Sequence, residues 1–389
     1  MAYVELPALR VPPVERQYGQ GRQREPVKSS SAASAALAAS ITREASSQTY
    51  LTIRYLVDPA LVEHAYRAYA YFRWVDDTLD EDCLSQDEKH AFLARQKTII
   101  LNCYAGKYRF NDLSRRVAGS QWRTIQSINN DGHAGQLDKL DWRFDVSVRS
   151  GASQDNRPIR ELSPEEEMVV DLINSNLSTD SGLAVYMREM MQVMAIDVER
   201  IGRLISELEI EVYTRSLAMA VTEALHYFIG HNQYAPHDET RYLAVTGAHI
   251  THMLRDMIAD TETGYYNIPH EFLAENGIGP ADVDDIAFRN WVSGRVQQAR
   301  ACFAVGREYM AQVDNVRCRL AGYAYIARFE VVLDAIEKDG CRLRAVYPER
   351  KGTRAKLKMA LAALGHTLGS LLGGRPRTSA LAEVIVEQI

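Results

Sequence analysis

Residues 61–80 read LVEHAYRAYAYFRWVDDTLD, and this stretch decides the fold. Its apolar side chains recur at steps of three and four residues, at Leu61, Ala65, Ala68, Phe72, Val75 and Leu79. Such spacing places them on one face of an α-helix, because positions three or four apart return to nearly the same side. The stretch therefore predicts a helix with one buried stripe.

The same spacing continues along most of the chain. It recurs within residues 187–194, 201–210, 217–229 and 324–336, and residues 169–173 form a shorter apolar run. The alternation of apolar and polar residues that is typical of strands is nearly absent. The sequence therefore predicts an all-α protein.

Composition narrows the class of protein. The 389 residues are 46% hydrophobic and 25% charged, as in soluble globular proteins. A formal net charge of −6 gives no reason to expect nucleic acid as a partner. The five cysteines are scattered, which indicates neither a zinc site nor a disulfide scaffold. No signal peptide is evident, and no apolar run reaches the roughly 18 residues of a membrane-spanning helix, so we expect a cytoplasmic protein that is soluble or peripheral to a membrane.

Shifts in composition divide the chain into segments. Residues 1–40 contain four prolines and then a Ser/Ala-rich run, and are predicted to be a disordered arm. Residues 41–370 form the helical domain. Within it, residues 105–161 are rich in Asn, Asp, Gly, Ser and Arg, and are interpreted in part as an insertion between helices. Residues 371–389 are predicted to be a C-terminal tail.

Two segments carry paired acidic residues. Residues 69–81 (YAYFRWVDDTLDE) and residues 249–260 (HITHMLRDMIAD) each contain Asp-x-x-x-Asp, formed by Asp76 and Asp80 and by Asp256 and Asp260. Positions four apart differ by only about 40° around a helix, so each pair shares a face beside the apolar stripe. Asp77 is expected to point further outward.

Carboxylates on an inward face need compensation, because burying unpaired charge is very costly. Hard divalent cations supply it, since Mg²⁺ prefers oxygen ligands and bridges carboxylates to phosphate oxygens. Two acidic helices around an apolar cavity would suit a ligand with a diphosphate head and an apolar tail. The pattern favours ionisation of an allylic diphosphate, with metal ions stabilising the leaving group.

Two simpler interpretations compete with this one. A single Asp-x-x-x-Asp is usually a solvated helix edge, but two copies on inward helix faces are less often coincidental. A di-iron carboxylate site would need two Glu-x-x-His pairs. The sequence offers one, Glu223-Ala-Leu-His226, and no second.

These motifs resemble those of the squalene/phytoene synthase family, and the resemblance covers about residues 41–364. Residues 46–50 (SSQTY) resemble an N-terminal substrate-binding segment, and residues 69–80 resemble the first acidic motif. Residues 213–221 resemble a tunnel-lining helix, and residues 249–269 resemble the second acidic motif and the Arg-x-Tyr-x-Pro that follows it. The resemblance implies a single-domain class I isoprenoid synthase, a helical bundle around a central cavity.

The resemblance also implies roles for individual residues. Two or three Mg²⁺ ions would be held by Asp76, Asp80, Asp256 and Asp260. The catalytic residues would be Tyr69, Arg73 and Tyr213, and the substrate, farnesyl or geranylgeranyl diphosphate, would contact Ser47, Tyr50, Arg73, Asp77, His249, His252 and Arg255. NADPH use is compatible with the family, but no residue indicates it.

Several positions depart from the family pattern. His249 and His252 replace Gln and Asn, while Tyr265 and Asn267 replace the Arg and Tyr of Arg-x-Tyr-x-Pro. The two histidines would bind phosphate as cations or replace the amides as hydrogen-bond donors. If they act as cations, activity should fall as the pH rises through about 6.5–7.5.

Three functions are compatible with these residues. The first is head-to-head coupling of two C15 or C20 diphosphates, and the second is a terpene synthase or cyclase acting on a single diphosphate. The family's His, Lys and Arg, replaced here by Ser46, Gln48 and Tyr265, are missing basic groups that favour the second function more than in a typical family member. The third is a non-catalytic relative, in which the aspartates would be expected to be replaced by other residues.

Peripheral membrane contact through the amphipathic residues 357–372 remains an alternative to their packing on the core.

Overall fold

The computed structural model describes residues 31–81, 83–108, 162–231, 233–351 and 353–372. Within them the chain is helical and contains no β-strand, which confirms the predicted all-α fold. The α-helices, numbered in chain order, are α1 (Ser31–Ala45), α2 (Ser47–Leu56), α3 (Val62–Leu79), α4 (Gln86–Tyr104), α5 (Pro164–Asn174), α6 (Gly182–Arg200), α7 (Glu207–Ile229), α8 (Thr240–Glu262), α9 (His270–Asn276), α10 (Ile286–Gln312), α11 (Val316–Lys338) and α12 (Thr353–Leu372). Two short 3₁₀ helices cover Pro59–Leu61 and Pro348–Lys351.

Local sequence sets the start of several helices. A serine before the helix accepts a hydrogen bond from the backbone N–H three residues on, and the glutamate there binds back to the serine N–H, which satisfies two otherwise unpaired donors. This reciprocal cap begins α4, α5 and α7, at Ser85–Glu88, Ser163–Glu166 and Ser206–Glu209.

The described residues group into two compact units. The first contains residues 31–55, 59–108 and 162–177, and the second contains residues 56–58 and 178–372. The first acidic motif lies on α3 in the first unit. The second acidic motif lies on α8 in the second.

In the first unit, α3 packs against α1 and α5. The fully buried Arg67 is held there, because its Nε donates to Ser34 Oγ at 3.0 Å and lies 3.8 Å from a carboxylate oxygen of Asp171. A second polar contact joins α4 to α5, where the exposed Arg95 pairs with the buried Glu166 at 2.6 Å. These contacts satisfy charges that would otherwise destabilise the unit.

The predicted disordered arm, residues 1–40, extends too far. Helix α1 begins at Ser31, and its Ala38 and Thr42 are fully buried. Alanine has the highest helix propensity, and the Ala-rich face of α1 packs on α3 and α5, so the run is ordered. Residues 1–30 and most of the predicted insertion, residues 109–161, lie outside the described residues.

In the second unit, α8 and α10 pack closely along their length. A Cβ added at Gly247 would lie 2.9 Å from the carbonyl oxygen of Ala299, and one at Gly306 would lie 2.8 Å from the Cβ of Ala244. The two glycines therefore allow the helix backbones to approach each other. The core beside this contact is formed by α8, α10 and α11, including Phe288, Phe303, Phe329, Leu333 and Ile336.

The C-terminal helix α12 packs on α11 and runs to Leu372, two residues beyond the predicted domain boundary. It buries Ala363 and Thr367 but exposes Leu361, Leu364 and Leu368. Among the described helices, none combines the length and apolar character needed to cross a bilayer.

Candidate active site

The first acidic motif lies at the C-terminal end of α3. Phe72, Val75 and Leu79 are buried, and Asp76 beside them is only 8% exposed, as its predicted place next to the apolar stripe requires. Arg73 lies 3.6 Å from Asp76 and forms a two-pronged contact with Asp77, with one bond of 3.0 Å. The Asp77 side chain is exposed, as predicted.

Asp80 lies one residue beyond the end of α3. Its backbone N–H bonds the carbonyl of Asp76, and its helical backbone angles continue the turn. The backbone therefore places Asp76 and Asp80 on the same face, as expected. However, Asp80 is the C-cap residue of the helix and its side chain is exposed. Tyr69, about three turns before Asp80, is half-buried.

The N-terminal segment contacts the opposite half of α3. Ser46 caps α2, because its Oγ accepts from Thr49 N at 3.1 Å, while Ser47 is exposed. The Tyr50 ring stacks on Tyr66, with centroids 5.2 Å apart. Tyr66 precedes Asp76 by ten residues, or about 15 Å of helix. Substrate contacts of Ser47 and Tyr50 therefore stay a prediction, and the segment does not adjoin the first carboxylates.

The second acidic motif lies on α8, and its His249, His252, Asp256 and Asp260 fall on one face of the helix. His252 Nε2 is 3.3 Å from Asp256 Oδ2. Arg255 also pairs with Asp256, with Nε donating to Oδ1 at 2.6 Å. Asp256 thus carries two basic neighbours, both within its own motif.

Asp260 is the most electrostatically perturbed carboxylate of this face. Burial, followed by the charge of Asp256, raises its pKa to about 7, although a hydrogen bond from Asn267 Nδ2 at 2.7 Å and the nearby Arg200 oppose the rise. Two carboxylates that repel each other in a partly buried place are a fitting environment for a divalent cation, which would favour their charged forms.

This donor set suits magnesium. Asp256 and Asp260 are hard oxygen ligands, and Mg²⁺ commonly takes one or two carboxylates and completes its shell with water and phosphate oxygens. Across the part of the chain that the structure describes, no cluster of three or more His, Cys, Asp or Glu side chains forms a self-sufficient metal site. Convergence of Asp76 and Asp80 with this pair remains a prediction.

The surroundings of His249 bear on its two predicted roles. It is 3% exposed, its ring centroid lies 4.9 Å from that of Tyr213, and burial, then the charges of Arg200 and Arg295, lower its pKa to about 3. The imidazole is therefore neutral near pH 7, because burial and neighbouring cations both disfavour imidazolium. These surroundings favour the role of a neutral hydrogen-bonding group, and phosphate binding by His249 stays a prediction.

Tyr213 lies on α7 and is 2% exposed. Its hydroxyl donates to Asp197 Oδ2 at 3.1 Å, and burial, followed by the charge of Asp260, raises its pKa well above the ordinary value for tyrosine. The phenol therefore keeps its proton. Its ring contacts positive charge, because the Arg200 guanidinium lies 5.0 Å from its centroid.

Sequence reasoning missed three residues of this site: Asp197, Arg200 and Asn267. Arg200 donates to Asp197 Oδ1 at 2.9 Å and to Asn267 Oδ1 at 2.8 Å. The sequence feature that could have indicated them is the Asp197-x-x-Arg200 pair at the end of the Met-rich helix α6. Charged residues on the buried side of such a helix need partners.

The lone Glu-x-x-His pair does not form part of a metal site. Glu223 binds the Arg241 guanidinium through both oxygens, at 2.7 and 2.9 Å. His226 lies 3.0 Å from the hydroxyl of Tyr309 and 3.8 Å from the sulfur of Cys318. The two side chains are thus engaged in separate buried contacts.

The chain is similar to known proteins in its sequence pattern and in its fold. The family model described as squalene/phytoene synthase matches residues 42–360. No curated protein sequence gives a significant match. The crystal structure of a dehydrosqualene synthase in complex with ligand is similar in fold, with a TM-score of 0.58 and 12% sequence identity over 87% of this chain and 98% of that chain.

Proposed function

The chain belongs to the squalene/phytoene synthase family, and from that premise we propose that it is a magnesium-dependent prenyltransferase that couples two C15 or C20 prenyl diphosphates head to head. Family and fold support an isoprenoid synthase acting on prenyl diphosphates. The single observation that carries the finer proposal is the Asp256–Asp260 pair on one face of α8, where burial, followed by the charge of Asp256, raises the pKa of Asp260 to about 7.

The metal ligands in this proposal are Asp76, Asp80, Asp256 and Asp260. Magnesium, when bound, would stabilise the charge of the departing diphosphate. Arg73 and Arg255 already pair with carboxylates of their own motifs, at 3.6 Å from Asp76 and 2.6 Å from Asp256. Each guanidinium would therefore lie beside a diphosphate bridged to those carboxylates, and could bind its oxygens in a two-pronged manner.

The remaining residues of the second unit would handle the cation left on the prenyl chain. The protonated Tyr213 would stabilise positive charge through its aromatic ring, while its hydroxyl donates to Asp197. Neutral His249 packs against it at 4.9 Å and adds no positive charge to repel a carbocation. In the first unit, the half-buried Tyr69 shares the flank of α3 with Arg73 and is proposed for the same purpose.

Incubation of the protein and Mg²⁺ with farnesyl or geranylgeranyl diphosphate, with and without NADPH, tests the proposal. Mass spectrometry of the organic extract should reveal a C30 or C40 hydrocarbon. A C15 or C20 terpene would instead indicate cyclisation of a single diphosphate, and unchanged substrate would indicate a non-catalytic relative. Any requirement for NADPH would appear as a difference between the two incubations.

The metal assignment is tested by Asp76→Ala and Asp256→Ala. Both variants should lose most activity, because neither motif alone would bridge the diphosphate. Asp334→Asn is the control, since this exposed α11 carboxylate lies outside both acidic motifs and pairs with Arg300 at 2.7 Å. Persistent turnover in both alanine variants would refute the assignment.

Peripheral contact with a membrane is proposed through α12. The exposed Leu361, Leu364 and Leu368 recur at three- and four-residue steps along one side of the helix. An exposed apolar stripe of this kind suits the interface of a bilayer, where an insoluble hydrocarbon product would be released. Sedimentation with lipid vesicles should fall when the three leucines are replaced by serine.

A further inference from the structure

Asp260 is connected to helix α6 by a chain of three hydrogen bonds. Asn267 Nδ2 donates to Asp260 Oδ2 at 2.7 Å, and Asn267 Oδ1 accepts from Arg200 Nη1 at 2.8 Å. Arg200 Nε in turn donates to Asp197 Oδ1 at 2.9 Å. The chain runs from the last turn of α6 to the last turn of α8 and ends on a carboxylate of the second acidic motif.

The Arg200 guanidinium is fixed by its surroundings. It lies 5.0 Å from the ring centroids of both Tyr213 and Tyr265, and the residue is only 6% exposed. Cation–π contacts on two rings, together with the fork-shaped hydrogen bonding of arginine, leave little rotational freedom.

Backbone contacts fix the two connections that carry these residues. Gly202 N donates to Gly264 O at 3.0 Å, and His270 N donates to Ile205 O at 2.9 Å. These two hydrogen bonds, one on each side of Asn267, therefore hold the connection after α6 against the connection after α8. Gly264 has a φ of +86°, a conformation that favours glycine.

The orientation of the Asn267 amide follows from this arrangement. Arginine can only donate, so the amide oxygen must face Arg200 and the amide nitrogen must face Asp260. Asp260 Oδ2 is thereby engaged. No hydrogen bond from any described residue reaches Asp260 Oδ1, which is left to bind a cation.

We propose that Asp197, Arg200 and Asn267 are positioning residues that orient the Asp260 carboxylate so that Oδ1 faces the metal. The proposal rests on the proposed function, which makes Asp260 a metal ligand. Arg200 would also supply, from a different helix, the positive charge of the family's Arg-x-Tyr-x-Pro segment that Tyr265 lacks in this chain. Partners of this kind commonly contribute 10- to 100-fold to metal affinity, roughly, because they fix the orientation of the ligand.

The test measures Mg²⁺ affinity in the presence of inorganic pyrophosphate by isothermal titration calorimetry. Asn267→Ala should weaken Mg²⁺ binding by about 10- to 100-fold. Arg200→Lys keeps the buried charge but cannot bind Asp197 and Asn267 with one rigid fork, so it should weaken binding in the same direction. Arg203→Gln is the matched control, because this exposed arginine three residues later pairs with Glu209 at 2.6 Å, away from Asp260.

The outcomes separate the proposal from the function on which it rests. If folded Asn267→Ala binds Mg²⁺ with an affinity within twofold of the wild type, the positioning role is overturned and the proposed function stands. Should Asn267→Ala not fold, the same result with folded Arg200→Lys overturns the positioning role. If the wild-type protein itself binds no Mg²⁺ with pyrophosphate, both are overturned. Weakened binding in Arg203→Gln equal to that of the other variants would also overturn the proposal, since a general loss of charge would then explain the effect.

Discussion

Replacing His249 by glutamine should make the protein less sensitive to acid. The imidazole is buried against Tyr213, and its pKa is lowered from 6.5 to about 3. Between these values the unfolded chain binds a proton that the folded protein does not bind. The stabilisation from the neutral imidazole is therefore fully present above about pH 6.5 and is lost as the pH falls towards 3.

The size of the effect follows from the same two pKa values. A shift of this size corresponds to about 5 kcal/mol over the whole range, at about 1.4 kcal/mol per pKa unit. Between pH 8 and pH 5 the loss is about 2 kcal/mol, because only part of the range has been crossed. His249→Gln, which keeps a hydrogen-bonding side chain, should lose about 2 kcal/mol less than the wild type over that interval.

Urea denaturation followed by near-UV circular dichroism at pH 8, 6.5 and 5 measures this difference. Other acid-sensitive groups, including the buried His226, are present in both proteins and cancel in the comparison. His270→Gln serves as a control, since the His270 side chain is 51% exposed. Equal losses in His249→Gln and the wild type would contradict a buried neutral imidazole. So would a wild-type rate that falls between about pH 6.5 and 7.5 and becomes flat in His249→Gln, because that profile requires a cationic His249.

Three further predictions concern stability, each measured by urea denaturation. Arg241→Met should cost about 3–5 kcal/mol by leaving the buried Glu223 charge without its partner, and adding Glu223→Gln should recover part of the loss. Ser206→Ala should cost about 1 kcal/mol by removing the cap of α7, and an unchanged midpoint would contradict that role. Gly264→Ala should cost about 1–2 kcal/mol because of its positive φ, whereas Gly294→Ala, in the open middle of α10, should be neutral or stabilising.

The helical fold was accessible from sequence because its signals are local. Phe72, Val75 and Leu79 are spaced by three and four residues, and the structure buries all three on α3. The periodicity that places them on one face also places Asp76 beside them. Such a pattern needs no knowledge of what the helix packs against.

Boundaries and caps were less accessible. The Ser/Ala-rich run before residue 40 is compatible with a disordered arm or a helix, and the burial of Ala38 against neighbouring helices decides between them. Likewise, nothing in the local sequence indicates that α3 ends at Leu79 and leaves Asp80 as its cap. Tertiary contacts, which a local pattern does not contain, determine both features.

The role of His249 was ambiguous for a related reason. A histidine on an acidic face suggests a cation at the level of sequence, because Asp256 and Asp260, seven and eleven positions further along the same face, would favour its charge. In the folded protein, burial and the cations Arg200 and Arg295 outweigh that attraction. Both arginines come from other helices, so their effect follows only from the packing of α6 and α10 around α8.

Arg200 shows that positive charge can reach the second acidic motif from a distant part of the sequence. Tyr265 stands where the pattern has arginine, so sequence comparison counts one cation fewer and favours a site for a single diphosphate. A guanidinium acts through its position in space, and Arg200 reaches Asn267 from 67 residues away in sequence. If Arg200 takes the part of the family's arginine, as proposed above, the arginine missing at Tyr265 is a weaker argument for a cyclase. The balance between coupling and cyclisation then depends on whether the first acidic motif brings Arg73 to a second diphosphate.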